Sequence, residues 1–295
     1  MAELHGVFVV MTTPFTEDGA INYEGARSNI NWYIESGIHG LLPVGATGEF
    51  AALTLQERKD FAEFAVKTAA GRVPVCVGTV SQNVETVLEL CKHAHTVGAD
   101  GVMCLVPPGL HLNQEEAYEY FKLISENVSL PVMVYNNPWS SGVDLEFETV
   151  ERISQLPHME YIKESTGDIK RLTLLKDKLE DGIIPFCGWE DMAFESFLVG
   201  AQGWVSVLAN VAPALSAQLF DLVNKEKDVD AAWNIYRDVL PLLRYLEGSG
   251  KLWQVAKYAM DLQGQCGAFC RVPRLPLNDA EKAEIKAILD AKPLR

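Results

Sequence analysis

Short apolar runs alternate with longer stretches of helical periodicity eight times along the chain. The runs fall at residues 7–11, 40–44, 73–80, 101–106, 131–135, 161–163, 183–187 and 203–208. Most are apolar at consecutive positions, as strands covered on both faces must be. The segments between them carry apolar residues at spacings of three and four, the stripe of an amphipathic helix. Thr54-Leu-Gln-Glu57 is a capping box opening a helix through Ala70, and residues 114–128 and 147–156 are two further amphipathic stretches. Eight β-then-α units predict an α/β fold, a closed (β/α)8 TIM barrel over residues 1–225; an open doubly wound sheet is the alternative topology. Residues 226–295 do not fit an eight-unit barrel. They predict a C-terminal helical extension packed on it: a helix from 229 to about 246, a Gly-Ser-Gly break at 248–250, a second helix, and a last one opened by Asn278-Asp-Ala-Glu281. This extension is expected to shape either the mouth of the barrel or a subunit contact.

Charge narrows the partners. With 25 basic and 40 acidic residues among 295, the net charge is −15, which argues against nucleic acid and anionic membrane as general partners. An anionic small molecule stays possible, because backbone dipoles inside a pocket can outweigh a distant surface field. The first residues lack the basic start and apolar core of a signal peptide, and the apolar-leaning stretch 204–220 is interrupted by Ser206, Asn210, Pro213, Ser216 and Gln218. A cytoplasmic protein without a membrane span is expected. Cys76, Cys91, Cys104, Cys187, Cys266 and Cys270 are expected as reduced, mostly buried thiols; the C-x-x-x-C pair 266/270 has no partner pair, so no metal site is expected.

In a barrel of this kind the C-terminal strand ends face the catalytic mouth. Three places there carry candidate chemistry. Lys163 closes an apolar strand and is expected to be desolvated; a neutral amine can attack a ketone and form an iminium that acts as an electron sink. The competing reading is a lysine in a structural ion pair. Tyr135 closes the preceding strand, so its phenol should converge with Lys163 and could relay protons; a packing tyrosine bonded to backbone is the alternative. Gly45-Ala46-Thr47-Gly48-Glu49 follows the second strand as a turn with N–H groups free for a carboxylate or phosphate. It is neither a P-loop nor a dinucleotide fingerprint, and barrel phosphate sites usually follow the seventh and eighth strands.

Gly45-Ala-Thr-Gly-Glu49, Tyr135-Asn-Asn-Pro138 and Lys163-Glu-Ser165, in that order, resemble the dihydrodipicolinate synthase / N-acetylneuraminate lyase family of class I aldolases. The resemblance runs from about residue 6 to 276 and takes in Gly188 after the seventh strand and Ala209-Asn210-Val211 after the eighth. It implies a (β/α)8 barrel with a helical extension, assembled as a homotetramer (a dimer of dimers), and a lyase acting on pyruvate or a pyruvate-derived 2-oxo acid. Lys163 would form the Schiff base and Tyr135 relay protons. Ala46, Thr47 and Gly48 would hold the carboxylate, with Gly188, Ser140, Trp139 and Val207 among the substrate-binding positions. No metal or organic cofactor is implied.

The sequence departs from the family's synthases at three places. Ala46 replaces the first of two threonines in the carboxylate turn. The loop 106–111 after the fourth strand, Val-Pro-Pro-Gly-Leu-His, lacks the second tyrosine of the relay. Ser140 stands where an arginine would receive the second substrate's carboxylate, and a serine hydroxyl does not replace a guanidinium fork. These losses predict a paralogue (an aldolase, dehydratase or deaminase) with Trp139 beside a pocket for an apolar or sugar-like group and His111 as a possible substitute relay. Glu164-Ser-Thr-Gly-Asp168 and Gly250-Lys251 also resemble the branch that deaminates a pyrroline carboxylate. Glu190 and Asp191 either favour a helix N-terminus or hold substrate hydroxyls. A synthase with an unusual relay and a catalytically silent barrel with a binding role are the rival readings.

Overall fold

The computed structural model describes residues 3–179 and 182–294. Eight parallel strands form the core: β1 Gly6–Val10, β2 Gly40–Leu42, β3 Cys76–Gly78, β4 Gly101–Leu105, β5 Val132–Asn136, β6 Met159–Glu164, β7 Ile184–Cys187 and β8 Gly203–Ser206. They pair in the order β2-β1-β8-β7-β6-β5-β4-β3. An isolated parallel bridge, Leu41 with Val75, and the Leu41 N–H on the Pro74 carbonyl at 3.0 Å bring β2 to β3 and close the ring. The pairing of β1 with both β2 and β8 excludes the open doubly wound sheet. Buried Asn210 reinforces that seam: it donates to the Val10 carbonyl at 2.9 Å and accepts from Thr12 N at 3.0 Å.

The consecutive apolar positions are explained by this closure, since one face of each strand fills the barrel and the other meets helices. Phe8, Phe186 and Tyr161 pack inside, with ring centroids 5.9 and 5.8 Å apart in turn. The helices α1 Tyr23–Glu35, α2 Leu55–Ala69, α3 Val84–Thr96, α4 Gln114–Asn127, the single turn α5 Pro138–Ser141, α6 Phe147–Ser154, α7 Ile169–Lys178, α8 Ala193–Leu198 and α9 Pro213–Asp221 surround it. The Thr54–Glu57 capping box forms as expected, and Ala70 ends that helix in the left-handed region. Several strands are shorter than their apolar runs. In β2 the run continues through Val44, whose φ of +60° turns the chain out of the ladder into the glycine turn.

After the barrel come α10 Val229–Gly248, α11 Leu252–Leu262 and α12 Asp279–Ala291. α10 runs past its expected end and carries Pro241 inside it. The extension is fastened at the catalytic mouth: Trp253 Nε1 donates to the Ala46 carbonyl at 2.7 Å, and Lys257 Nζ to Glu49 Oε1 at 2.6 Å. No helix among the described residues is long and apolar enough to cross a membrane.

Candidate active site

β5 and β6 pair in a register that sets Tyr135 against Lys163. Lys163 is 5% exposed, and its Nζ lies 4.2 Å from the centroid of the Tyr135 ring. Among the described residues it has no ion-pair partner and no hydrogen-bond acceptor, which removes the structural-ion-pair reading. Its neighbour Glu164 lies on the opposite face of the strand, as the period of two requires. That carboxylate is buried against Asn136 Nδ2 at 3.0 Å, Thr166 N at 2.9 Å and Arg171 Nε at 3.2 Å.

Gly188 makes room for the amine. A Cβ there would stand 2.8 Å from Lys163 Cγ and Cε, and closer still to Ser165 Oγ. The same glycine locks the strand ends together: its N–H donates to the Glu164 carbonyl and its carbonyl accepts from Ser165 Oγ, both at 2.9 Å.

The glycine turn uses part of its donor set internally. The N–H groups of Gly48 and Glu49 bond to the carbonyls of Gly45 and Ala46 at 3.0 Å. Those of Ala46 and Thr47 have no partner among the described residues. Buried Thr47 adds a hydroxyl beside them. Two adjacent free N–H groups and a hydroxyl suit a carboxylate. Thr13 Oγ1 on the Gly48 carbonyl at 2.8 Å and the Trp253 indole on Ala46 fix the turn's shape.

At the end of β8, buried Val207 donates its N–H to Glu190 Oε1 at 2.7 Å, and Leu208 donates to Glu190 Oε2 at 2.9 Å. The Val207 carbonyl is taken by Asn210. Glu190 therefore caps the turn after β8, and this cap occupies both of its oxygens. Its own N–H bonds to Glu247 Oε1 of α10 at 2.8 Å. Burial, and then the facing Glu247, push the Glu190 carboxyl up to about 8, against its two backbone bonds and the Lys163 charge.

Two expected site residues are not brought in. His111 is exposed with φ +50°, and its ring packs on Gly142, where a Cβ would meet Nδ1 at 2.9 Å. The Tyr135 hydroxyl instead accepts from Asn137 Nδ2 at 2.7 Å. Trp139 is 77% exposed and lines no part of the cleft, whereas its neighbour Ser140 does. Positions 139 and 140 share one helical turn and point about 100° apart, so turning Ser140 inward turns the indole out.

The cleft above these strand ends has a volume of about 320 Å³. Ala46, Tyr135 and Ser140 line it from the barrel side; Trp253, Arg271 and Arg274 come from the extension. The Lys163 amine reaches this cleft beside Tyr135, which lines it and whose ring centroid lies 4.2 Å from Nζ. The extension's contribution to the mouth was one of two sequence expectations, but none of its residues was singled out there. Among the described residues no group of three or more His, Cys, Asp or Glu is placed to hold a metal, and Cys266 and Cys270 are free thiols.

The sequence profile of the dihydrodipicolinate synthetase family matches residues 3–292. The 4-hydroxy-tetrahydrodipicolinate synthase of Psychrobacter sp. is 35% identical over 291 residues, 98% of this chain and 95% of that protein. That of Bartonella bacilliformis is 35% identical, covering 97% of each. Among solved structures, the chloride-inhibited dihydrodipicolinate synthase of Acinetobacter baumannii, complexed with pyruvate, superposes with a TM-score of 0.94 at 28% identity, over 99% of this chain and 100% of that one. A prophage protein of the same family from E. coli K12, also in complex with pyruvate, gives 0.94 at 29% identity over both whole chains.

Proposed function

The chain belongs to the dihydrodipicolinate synthetase family, and we propose that it is a class I lyase in which Lys163 forms an imine with pyruvate or a pyruvate-derived 2-oxo acid. The observation that carries this is the buried Lys163 amine against the Tyr135 ring, with no hydrogen-bond or ion-pair partner among the described residues. The two family members solved with pyruvate support a 2-oxo acid as substrate.

The steps follow from the groups present. The substrate carboxylate sits on the free N–H groups of Ala46 and Thr47. The Lys163 lone pair attacks C2, and a proton delivered through the Tyr135 hydroxyl lets the carbinolamine oxygen leave as water. The iminium draws electrons from C3: C3 loses a proton to give an enamine that attacks the acceptor's carbonyl carbon, or, in the cleavage direction, the C3–C4 bond breaks into the iminium as the C4 hydroxyl gives up its proton and C4 leaves as a carbonyl compound. Hydrolysis returns the free amine. Asn137, holding the phenol at 2.7 Å, orients it for these transfers. No metal or organic cofactor takes part in this scheme.

We read the second substrate as different from that of the synthases, because Ala46 and Ser140 line the cleft without the relay hydroxyl and arginine that the resemblance leads one to expect there. Condensation of pyruvate with aspartate semialdehyde at ordinary synthase rates would defeat this part. A homotetramer and a cytoplasmic location belong to the same proposal; light scattering checks the first.

The deciding experiment is borohydride reduction in the presence of pyruvate, read by intact mass and peptide mapping. A reduced adduct on Lys163, absent from Lys163→Ala, is expected. A folded protein that traps no 2-oxo acid would reduce the chain to a silent barrel.

A further inference from the structure

The extension presents two arginines to the cleft, and they are not equivalent. Arg271 is engaged through four of its five N–H groups: its guanidinium holds Glu57 through both terminal nitrogens and donates to the carbonyls of Ala52 and Gly19 at 2.8 Å. It fastens the extension to α2 and its preceding loop, and has one N–H of Nη2 left, too few for a two-pronged grip on a ligand carboxylate. Arg274 is the opposite. Its guanidinium carbon lies over the Trp253 ring, 3.6 Å from the centroid, and the side chain, which lines the cleft, is 29% exposed. Among the described residues it makes no side-chain hydrogen bond, and its only ion-pair partner is Glu49, 3.8 Å from Nε. That carboxylate is already matched by Lys257 at 2.6 Å and bonded by Arg271 N at 3.2 Å.

Stacking on the indole leaves the N–H edge of the guanidinium, the planar fork that matches a carboxylate, without a hydrogen-bond partner among the described residues, at a position that lines the cleft. The indole is itself held by the Ala46 carbonyl, so the fork is rigidly tied to the turn that receives the substrate's first carboxylate. A single chain thus offers two carboxylate receptors on one cleft. One is the Ala46–Thr47 turn on the barrel, and the other is Arg274 on the extension.

We propose that Arg274 recognises a second carboxylate at the far end of the substrate, making the enzyme selective for a 2-oxo acid, or an acceptor, that is dicarboxylic overall. This rests on the imine reading of Lys163. It also revises the expectation that the loss of an arginine at position 140 leaves a second carboxylate unpaired, since the extension supplies one from elsewhere in the chain.

The test uses the full-length protein and borohydride trapping at subsaturating substrate. Two matched pairs serve as probes: 2-oxoadipate against 2-oxohexanoate, and 2-oxoglutarate against 2-oxopentanoate. Each rate is divided by the same variant's rate with pyruvate, so that general damage cancels. Wild type is expected to favour at least one diacid over its matched monoacid by about 10- to 100-fold, the range of a hydrogen-bonded charge pair. In Arg274→Met that ratio should fall to within about twofold of unity, and Arg274→Lys, which keeps the charge but not the fork, should lie between. Pyruvate trapping without a diacid preference in wild type, or a preference that survives in Arg274→Met, overturns the assignment while leaving the imine intact. Failure of pyruvate itself to trap on Lys163 removes the imine reading, and this assignment with it.

Discussion

Two lysines of this chain are almost wholly buried, and their surroundings are opposite. Lys257, on α11, is 1% exposed, and its three donors find three acceptors: the Thr13 and Phe269 carbonyls at 2.7 and 2.6 Å and Glu49 Oε1 at 2.6 Å. That is the complete set an ammonium requires, and it is how a buried charge becomes tolerable. Lys163 is nearly as buried but has an aromatic face and no acceptor among the described residues. Burial by itself therefore does not distinguish a reactive amine from a structural one. The distinguishing feature is whether the protein has already used the donors. Lys257 pins the extension to the barrel, and Lys163 is kept available to a substrate.

The sharpest way to break this comparison is to replace each lysine by methionine. Lys163→Met should abolish turnover and trapping while leaving the melting temperature equal or higher, because an unsatisfied amine is exchanged for an apolar chain of similar length. Lys257→Met leaves Glu49 buried with only the distant Arg274, 3.8 Å away, as a cation. It should lose about 3–5 kcal/mol of stability, the usual cost of breaking a buried pair from one side, which is on the order of 10 °C in a melt. Equal losses of stability in the two variants would show Lys163 to be structural after all.

Within the Lys163 region two smaller changes grade the site. Tyr135→Phe keeps the ring against the amine and removes only the hydroxyl, so kcat should fall about 10²- to 10⁴-fold, the worth of a positioned proton relay. A loss of melting temperature without a loss of rate would mark Tyr135 as a packing residue. Gly188→Ala inserts a methyl 2.8 Å from Lys163 Cγ and Cε and must displace the side chain. A shift of about 1 Å is expected to lower the rate on the order of 10²-fold. Unaltered kinetics would mean that the lysine works from another rotamer.

What the sequence reveals, and what it conceals, follows from the same contrast. Lys163 and Tyr135 are legible because consecutive strands of a right-handed barrel are neighbours, so two strand-end residues must converge whatever the loops do. Arg274 and Trp253 are not. Their place depends on contacts to Glu49 and Ala46 spanning more than 200 residues, and the segment between α11 and α12 has no periodicity to announce a direction. His111 is lost for a local reason: the loop turns through left-handed geometry at Gly109 and again at His111, aiming the ring at Gly142 and not at Tyr135. The ion-pair alternative for Lys163 could be removed only by coordinates, because Glu164, next to it in sequence, faces Arg171.

The smallest effect expected, and the one that connects the Lys163 pocket to α10, is a pH dependence of stability through Glu190. Burial and the facing Glu247 push this carboxyl up to about 8 in the folded chain, against about 4.3 when unfolded. The folded state thus holds a proton that the unfolded state releases. The resulting stabilisation is complete below the unfolded value, declines as pH rises above it, and is gone once pH has passed through about 8. Glu190→Gln cannot ionise, so its melting temperature should fall less than that of wild type between about pH 6 and 9. Its amide still accepts from one of the two N–H groups of Val207 and Leu208, so the cost at pH 6 should be modest, about 1 kcal/mol. The Lys163 charge pulls the Glu190 titration downward; Lys163→Met should therefore move it to higher pH, shifting the decline in the same direction. Parallel melting profiles in all three proteins would mean that Glu190 is ionised throughout, and that the field of Lys163 does not reach across to the cap on β8.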